Sequence, residues 1–527
     1  MNKHVLFQVC ALAFSAEMAS AQNSVCPVPV ENKIIYMGSS VCLGYNATNM
    51  GGPFDFYQSF DFVHKGYAFD YAVLEHDRFT QGKGGDWKFS NISIGGNNTP
   101  LIMARWKKDL LPQCGRYVVY GLSLANEGIM TTPGAFDQFK TNMTKLIQDA
   151  RDSGMIPLVT NNYANNDFTP AIYAKIIAMD LLIHEWNVPS INILGSLDDG
   201  AGHWAPGFFS DAGHPNDKGY QEMVAAFVPS LFDALKDGKP RPQKKSIGFV
   251  KLKTGSSVSF VPEAGLRSFT VILDVRTSAT GSLLEYKQGA ATGGLLLDAT
   301  GVLAYQSAKT GIKTKGSSKV NDGAWHTLAF THYAATAKTI LYVDAVKQAG
   351  PLVDSINPAD FKLGGAKGPD TAEFRNLLFY RSGMTQVEMD AIHTGSFLQS
   401  SLEIYAPLEG QGKTLEASIA NTAQSKNVLT SDAGPTGNHG RFESRFQNRF
   451  ESSMSGGFNL ILNDGGENLR LDRVPETVRL YDLSGAVIGS MDVHAKTLRW
   501  NPGIVGRGVY LLELGYPGAK EFRKIAF

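Results

Sequence analysis

The chain has 527 residues, with 49 Lys plus Arg against 49 Asp plus Glu, so its formal net charge at pH 7 is zero. This length exceeds one ordinary domain and predicts roughly three, at about 150 residues each. The balanced charge provides no overall field that would attract nucleic acid or anionic lipid, so we expect no nucleic-acid partner.

Residues 1–21 have the pattern of a secretory signal peptide. Lys3 precedes an apolar run at 5–14, and Ala19-Ser20-Ala21 supplies small residues before a cleavage point at Gln22. A frayed terminal helix is the alternative interpretation. No later segment has the run of about 20 apolar residues that a membrane helix needs, so the sequence predicts an exported protein without a membrane span.

Removing residues 1–21 leaves Cys26, Cys42 and Cys114. They are too widely spaced for a common metal-ligand motif. In an oxidising compartment Cys26 and Cys114 can pair, while Cys42 is expected to be a small buried apolar residue. The sequence alone does not fix the pairing.

Residues 22–237 alternate strand-like and helix-like runs, which favours an α/β fold with a mainly parallel sheet between two layers of helices. The predicted strands are 34–37, 92–94, 117–124, 156–160 and 191–194, and the predicted helices are 136–151, 172–185 and 217–235. In such sheets ligands bind beyond the carboxyl ends of the strands. We expect functional side chains at that edge.

The pattern changes after residue 237. Residues 238–245 are basic and contain proline, which predicts a solvated interdomain linker. From 246 to 432, short β-rich runs separated by Gly, Asp and Asn predict a β-sandwich. Its predicted strands include 257–261, 268–275, 294–297, 325–331 and 339–343.

A second polar stretch covers residues 433–457 and contains a near-repeat that begins at Arg441 and again at Arg449. Its Gly, Ser and charged residues cannot build a core, so a flexible linker is expected. Residues 458–527 follow as a small β domain, with predicted strands at 477–481, 487–491 and 508–513.

Two distant fragments carry groups for acyl transfer, which needs an activated hydroxyl, a base, a carboxylate that orients the base, and oxyanion donors. Ser40 follows the strand at 34–37, so its hydroxyl is expected at the carboxyl edge of the sheet. The segment from Asp211 to His214 lets one turn present a base and its partner. We expect Ser40 as nucleophile, His214 as base and Asp211 as the orienting carboxylate.

Oxyanion donors are predicted on two further strand ends. Gly96 follows the strand at 92–94, and a glycine lets a backbone N–H approach a substrate oxygen closely. Asn126 follows the strand at 117–124 and offers a side-chain amide, and the Ser40 N–H is the third donor. Each residue alone has an ordinary explanation as a turn or capping residue. Their order on successive strand ends favours catalysis.

Four segments resemble the ordered blocks of the SGNH (GDSL) hydrolases. They are Gly38–Gly44, Asn91–Thr99, Leu124–Glu127 and Asp211–Asn216. The resemblance covers about residues 30–236 and implies a three-layer, flavodoxin-like domain with the residue roles given above. Ser39 stands where the family usually has Asp, and Leu124 where it usually has Gly, which weakens any transfer of subfamily specificity.

Two other groups compete for these roles. Residues 121–125 resemble a degenerate Gly-x-Ser-x-Gly elbow that would make Ser123 the nucleophile, but the second glycine is missing. Asp199 and His203 form a second Asp/His pair, in a glycine-rich loop that fits the rim of a pocket better. His203 and the adjacent Trp204 are expected to lie on this rim and to contribute to substrate binding.

The later modules also resemble known families. Residues 322–328 with 341–344 are similar to laminin-G-like or concanavalin-A-like sandwiches, which implies a jelly roll and suggests glycan binding, with Trp325 expected in the core. Residues 473–527 resemble the carboxy-terminal sorting domains of bacterial type IX secretion, and a plain accessory β domain is the alternative. The resemblance implies the type IX machinery as a partner and an extracellular or cell-surface location.

These patterns predict a secreted serine esterase that needs no cofactor and no metal, since the chain has no His-Glu-x-x-His and no clustered Cys/His set. The favoured activity is removal of acetyl groups from an acetylated polysaccharide, as by an acetylxylan esterase. One alternative is a lipase- or thioesterase-like hydrolase of longer acyl esters. Another is a carbohydrate-binding adhesin with an inert hydrolase fold.

Overall fold

The computed structural model describes residues 28–48, 66–243, 245–311, 313–348, 352–370, 372–410 and 419–432, together with Cys26, Pro475 and the strands between 458 and 526. The chain divides into two compact units, residues 1–444 and 445–527. The predicted signal peptide at 1–21 and the predicted linker at 433–457 lie outside the described residues. Among the helices described, none is both long enough and apolar enough to cross a membrane.

The first part of unit one is built on a five-stranded parallel sheet. Its strands are β1 Val30–Gly38, β2 Lys88–Asn91, β3 Gly115–Gly121, β4 Ile156–Thr160 and β5 Ser190–Ile191. They pair in the order β2-β1-β3-β4-β5, which is the order of flavodoxin-like sheets. The mixed α/β prediction is therefore confirmed. Because β2 and β3 lie on opposite sides of β1, the topological switch point, where such sheets bind ligands, lies at the carboxyl ends of β1 and β3.

Helices connect and follow these strands. They are α1 Ser40–Leu43, α2 Gly66–Thr80, α3 Thr99–Arg105, α4 Ala135–Asp152, α5 Pro170–Glu185, α6 Leu194–Leu197, α7 Asp217–Ala225 and α8 Leu231–Lys236. The predicted helices at 136–151 and 172–185 correspond to α4 and α5. The single helix predicted at 217–235 is wrong, because it is interrupted between α7 and α8 at Pro229, which cannot donate a helical hydrogen bond.

In the parallel sheet, the strands that could be predicted correctly from the sequence are those that are buried on both faces. Residues 34–37 of β1 and 117–120 of β3 are fully buried, as expected for parallel strands covered on both faces. The strand predicted at 92–94 is displaced: β2 lies at 88–91, at the edge of the sheet, and its apolar content is limited to Phe89. The run that suggested a strand forms the loop after it.

The disulfide and the free cysteine agree with the sequence predictions. Cys26 and Cys114 are bonded, with Cα atoms 5.5 Å apart, and Cys42 is free and buried. The bond joins the chain just before β1 to the residue just before β3. It therefore fastens together the two strands that flank the switch point.

A two-stranded antiparallel ribbon, β6 Phe209–Asp211 and β7 His214–Pro215, follows the parallel sheet, and two large antiparallel sheets come after it. Their strands are β8 Val250–Leu252, β9 Ser257–Phe260, β10 Phe269–Arg276, β11 Gly281–Gln288, β12 Ala291–Leu297, β13 Val302–Gln306, β14 Lys313–Lys319, β15 Trp325–Tyr333, β16 Lys338–Val343, β17 Val346–Lys347, β18 Leu352–Val353, β19 Asp360–Gly364, β20 Ala372–Tyr380, β21 Leu402–Ala406 and β22 Leu429–Asp432. One sheet runs β17-β16-β15-β10-β20-β21, with β18 on β16 and β8 on β20, and the other runs β14-β13-β12-β11-β19-β9-β22. A helix, α9 Gln386–His393, follows β20.

A common apolar core joins the two large sheets. Phe269 and Phe379 of the first sheet contact Phe361 of the second, with ring centroids 5.5 and 5.3 Å apart. The expectation that Trp325 belongs to this core is wrong. Trp325 begins β15 and is only half-buried. Its ring lies against the guanidinium groups of Arg276 and Arg375, at 4.8 and 4.2 Å, and not among the core side chains.

The antiparallel sheets pack directly on the α/β part. The Ser401 N–H donates to the Ser190 carbonyl at the end of the parallel sheet (3.0 Å), and the Gly383 N–H donates to the Gly195 carbonyl (3.0 Å). The connecting segment 238–245 is not the freely solvated linker that was expected. Arg241 is half-buried in it and donates to the carbonyl groups of Trp186 and His184, at 2.6 and 2.9 Å.

The second unit consists of short strands. They are β23 Phe458–Leu462, β24 Asn468–Leu471, β25 Thr477–Tyr481, β26 Val487–Asp492, β27 Thr497–Trp500, β28 Val509–Tyr516 and β29 Ala519–Ala526. They form one sheet of three strands and one of four. The strands predicted at 477–481 and 487–491 correspond to β25 and β26.

Candidate active site

Ser40 lies at the switch point, where β1 ends and α1 begins. The turn into α1 needs Gly38, since a Cβ there would lie 2.2 Å from the Gly121 carbonyl oxygen on neighbouring β3. The Ser39 N–H donates to the same oxygen at 3.1 Å. This close approach holds Ser40 at the carboxyl edge of the sheet, where 8% of it remains exposed.

The ribbon of β6 and β7 brings His214 to Ser40. His214 Nε2 is 3.0 Å from Ser40 Oγ, and His214 Nδ1 is 2.8 Å from Asp211 Oδ1. In the neutral tautomer with a proton on Nδ1, the histidine donates to Asp211 and accepts the Ser40 hydroxyl proton through Nε2. The three residues expected to act together are therefore in one hydrogen-bonded line.

Asp211 is held as a carboxylate by several donors. Partial burial raises the pKa of this carboxyl, but hydrogen bonds from His214 and the Gly213 N–H outweigh burial, and Asn46 adds another, so the pKa lies below its ordinary value. The Gly213 N–H donates to Oδ1 at 2.9 Å and the Asn46 amide to Oδ2 at 2.7 Å. An ionised Asp211 can fix the His214 ring and stabilise the imidazolium that forms when His214 takes a proton.

The loop that carries Gly96 lies beside Ser40. A Cβ placed on Gly95 would lie 4.0 Å from the Ser40 Cβ, and Gly96 has φ of +76°, a conformation that favours glycine. Two hydrogen bonds to Gly38 anchor the loop. The Ile94 N–H donates to the Gly38 carbonyl (3.1 Å), and the Gly38 N–H donates to Ser93 Oγ (2.9 Å). The loop is thus fixed to the same turn that presents the candidate nucleophile.

Asn126 is held in one amide orientation by two hydroxyl groups. Its Oδ1 accepts from the Tyr163 hydroxyl at 2.9 Å and from Ser39 Oγ at 3.3 Å. Because the oxygen is occupied, the NH₂ group is the end of the amide left to donate. In the sequence, Ser39 stands out only as a departure from the family pattern, and no motif singles out Tyr163. Neither contact has a local sequence signal, since Tyr163 and Asn126 are 37 residues apart.

Ser123, the competing nucleophile, is in a different setting. It is 1% exposed, and its Oγ accepts the Ala125 N–H at 3.2 Å. His214 Nε2 faces Ser40 instead. The hydroxyl of Ser123 therefore stabilises the turn that contains Asn126.

The predicted rim residues divide into one exposed and one buried side chain. His203 is 38% exposed, with Nε2 3.0 Å from the Phe168 carbonyl and Nδ1 3.4 Å from Asp199. The expectation that Trp204 lines the rim is wrong, because Trp204 is 2% exposed. Its indole N–H donates to the Ala212 carbonyl at 3.0 Å, and its ring stacks on Tyr163 at 5.9 Å. Trp204 thus supports both the turn that carries His214 and the residue that orients Asn126.

The arrangement has the groups that acyl transfer needs: a hydroxyl, a base in contact with it, an ionised partner and an oriented amide donor. Within the described ranges, no three His, Cys, Asp or Glu side chains are grouped so that they could hold a metal ion.

Comparisons with known proteins give weak structural similarities. No family model matches the chain, and no curated protein matches it significantly. An acetylxylan esterase from Geobacillus stearothermophilus is 15% identical, with a TM-score of 0.30 over 37% of this chain and 92% of its own. An alpha/beta hydrolase from the metagenome of Lake Arreo in Spain is 16% identical, with a TM-score of 0.29 over 39% of this chain and 95% of its own. Similarities this low establish neither a shared activity nor a shared substrate.

Proposed function

We propose that this chain is a serine esterase of the SGNH type, with Ser40 as nucleophile, His214 as base and Asp211 as its partner. The observation that carries the proposal is the unbroken line from Ser40 Oγ through His214 to Asp211, at 3.0 and 2.8 Å. Its place at the switch point of a β2-β1-β3-β4-β5 sheet adds support, since ligands bind there in sheets of this order.

Acylation starts when Ser40 Oγ attacks the ester carbonyl carbon and its proton moves to His214 Nε2. The carbonyl oxygen becomes an oxyanion that accepts from the Ser40 and Gly96 N–H groups and from the Asn126 NH₂. When the tetrahedral intermediate collapses, the bond to the alcohol oxygen breaks. His214 returns its proton to that oxygen, so the alcohol leaves neutral and the acyl group stays on Ser40.

Deacylation reverses these roles. Water gives a proton to His214 Nε2 and attacks the acyl carbon, and the same donors stabilise the second oxyanion. The bond to Ser40 Oγ then breaks, and His214 returns the proton to the serine. Asp211 remains ionised throughout and stabilises the imidazolium in both halves of the reaction.

Acetylated polysaccharide is the substrate class that we favour. The antiparallel sheets are fastened to the α/β part through bonds such as Ser401 N–H to Ser190 O (3.0 Å) and Arg381 to Ala225 O (2.8 Å). A sandwich held in this way can contact a polymer while the α/β part works on the ester. We further propose that residues 1–21 and 458–527 act as successive export signals, the second for the type IX machinery.

The test is release of acetate from a panel of acetylated polysaccharides, alongside ethyl esters of increasing acyl length. We expect acetate release from at least one polymer and a rate that falls steeply beyond acetate. A maximum at long acyl chains would favour a lipase- or thioesterase-like enzyme. Firm glycan binding without hydrolysis of any ester would favour an adhesin and contradict the proposal.

A further inference from the structure

An exposed aromatic ring lies against the candidate base. The ring centroids of Tyr45 and His214 are 4.7 Å apart, with an angle of 53° between the ring planes. Tyr45 is 47% exposed, although most large apolar and aromatic side chains of the α/β part are buried. Its phenolic hydroxyl has no hydrogen-bond partner among the described residues. No step of the proposed esterase reaction uses this ring.

The backbone of Tyr45 is fixed on both sides. Its N–H donates to the Ser40 carbonyl at 2.9 Å, and its carbonyl accepts from the Tyr220 hydroxyl at 2.7 Å. The next residue, Asn46, donates to Asp211 at 2.7 Å. Because the backbone is anchored, this segment needs little further ordering when a ligand covers the ring, which lowers the entropic cost of binding.

The chemistry of ester cleavage indicates which part of the substrate this ring lies near. His214 Nε2 must lie close to the alcohol oxygen, because it returns the proton to that atom. The carbonyl oxygen points instead to the donors of Gly96 and Asn126. A ring in contact with His214 therefore lies nearer the alcohol part of the ester than the oxyanion donors do.

We propose that Tyr45 forms a subsite for the sugar ring that carries the scissile ester, the alcohol side of the substrate. A pyranose ring has an apolar face of C–H groups that can cover an aromatic ring, and hydroxyl groups at its edge that can pair with the phenolic hydroxyl. The inference rests on the proposed esterase function and deepens it, since it identifies the residue that recognises the alcohol.

Two further exposed apolar side chains lie close in sequence to candidate site residues. Ile94 is 47% exposed beside the Gly95–Gly96 turn, and Phe209 is 37% exposed on the ribbon strand that ends at Asp211. Each lies two residues from a candidate site residue. Of these three side chains, Tyr45 is the one whose ring is seen in contact with His214.

The experiment compares kcat/KM of the full chain for an acetylated xylo-oligosaccharide and for ethyl acetate, whose alcohol has no ring. We expect Tyr45→Ala to lower the ratio of the oligosaccharide value to the ethyl acetate value roughly three- to tenfold, the size expected for one aromatic contact. Tyr45→Phe should keep most of the ratio. Phe79→Ala is the matched control, since Phe79 is similarly exposed (44%) near the end of α2 and contributes to no step of the reaction.

A second ratio, ethyl acetate against ethyl butyrate, separates the alcohol side from the acyl side. It should stay the same in Tyr45→Ala. A change in this ratio, or an equal fall for the oligosaccharide and ethyl acetate, would overturn the subsite. Labelling of Ser40 by a fluorophosphonate checks that the variant site is folded.

The two proposals fail in different ways. If the unsubstituted protein hydrolyses neither ester, the esterase function itself is wrong. If it hydrolyses ethyl acetate but no sugar acetate, the esterase stands and the sugar subsite is overturned. If it hydrolyses both and Tyr45→Ala leaves their ratio intact, only the role of Tyr45 fails.

Discussion

Two histidines in different parts of the first unit both contact an aspartate through Nδ1, but their Nε2 atoms face different groups. His214 in the α/β part and His326 in the antiparallel sheets each place Nδ1 within 2.8 and 2.7 Å of an aspartate. The Nε2 of His214 is 3.0 Å from the Ser40 hydroxyl, whereas that of His326 is 3.1 Å from the Asp322 carboxylate. The sequence spacing is also similar, because each histidine is closely preceded by an aspartate that it contacts. Asp211 lies three residues before His214 and contacts its Nδ1, and Asp322 lies four residues before His326 and contacts its Nε2.

The second partner decides what each ring can do. Partial burial lowers the pKa of His326, but Asp344 and Asp322 outweigh it and raise the pKa above its ordinary value. A ring that donates from both nitrogens has no lone pair with which to take a proton from a nucleophile. His214 has one carboxylate and one hydroxyl, so its Nε2 can act as a base. An Asp/His pair alone therefore does not indicate catalysis.

The largest expected effect is loss of the nucleophile. Ser40→Ala should lower kcat by about 10⁴-fold or more, because covalent catalysis disappears and only the oxyanion donors and binding remain. Initial rates with a chromogenic acetate ester measure it, and circular dichroism shows that the fold is retained. A rate within tenfold of the original, with the loss found in Ser123→Ala instead, would transfer the role to Ser123.

The carboxylates of the two histidines offer a matched pair. Asp211→Asn should lower kcat by roughly 10³- to 10⁴-fold, since the amide no longer holds His214 in the productive tautomer. Asp344→Asn makes the same change beside His326 and should leave the rate unchanged. Equal effects of the two substitutions on the chromogenic assay would mean that the difference in Nε2 partners does not matter.

A smaller effect is expected at the oxyanion donor. Asn126→Ala should lower kcat on the order of 10²- to 10³-fold with little change in KM. Tyr163→Phe should cost roughly three- to tenfold, because the amide loses one of the hydrogen bonds that fix its orientation. In the Asn126→Ala background Tyr163→Phe should add no further loss of kcat. A full additional loss there would mean that Tyr163 acts through something other than Asn126.

The smallest effect concerns stability near His326. Because its folded-state pKa is raised, the charged ring contributes stability that is fully present below the unfolded pKa and is lost as pH rises through the folded value. Urea unfolding between about pH 6 and 9 should show this loss, and His326→Gln should remove that part of the pH dependence without changing ester hydrolysis. An unchanged pH profile in the variant would contradict the doubly paired arrangement.

The parts of the fold that the sequence predicted are those with strong local patterns. The buried runs at 34–37 and 117–120 indicated β1 and β3, and the helical spacing at 136–151 indicated α4. The edge strand β2 was misplaced because it has little apolar content of its own. α2 was not predicted, since the packing that stabilises it comes from distant residues such as Tyr220 and Phe227.

For the site, the sequence supplied the candidate residues and their order but not their contacts. Ser40 and His214 are 174 residues apart, and their 3.0 Å approach results from the placement of the β6–β7 ribbon at the carboxyl end of β1. The same is true of Tyr163 against Asn126. Trp204 was misjudged because large aromatic residues occur both on rims and in cores, and only the packing distinguishes the two.

One measurement tests most directly whether Ser40 is the nucleophile activated by His214. The full chain is treated with a fluorophosphonate, which bonds covalently to an activated serine, and the labelled peptide is identified by mass spectrometry. We expect the label on Ser40, absent in Ser40→Ala and strongly slowed in His214→Gln, while His326→Gln is labelled as fast as the unsubstituted protein. A label on Ser123, or no label on a protein that still hydrolyses esters, would contradict the proposed site.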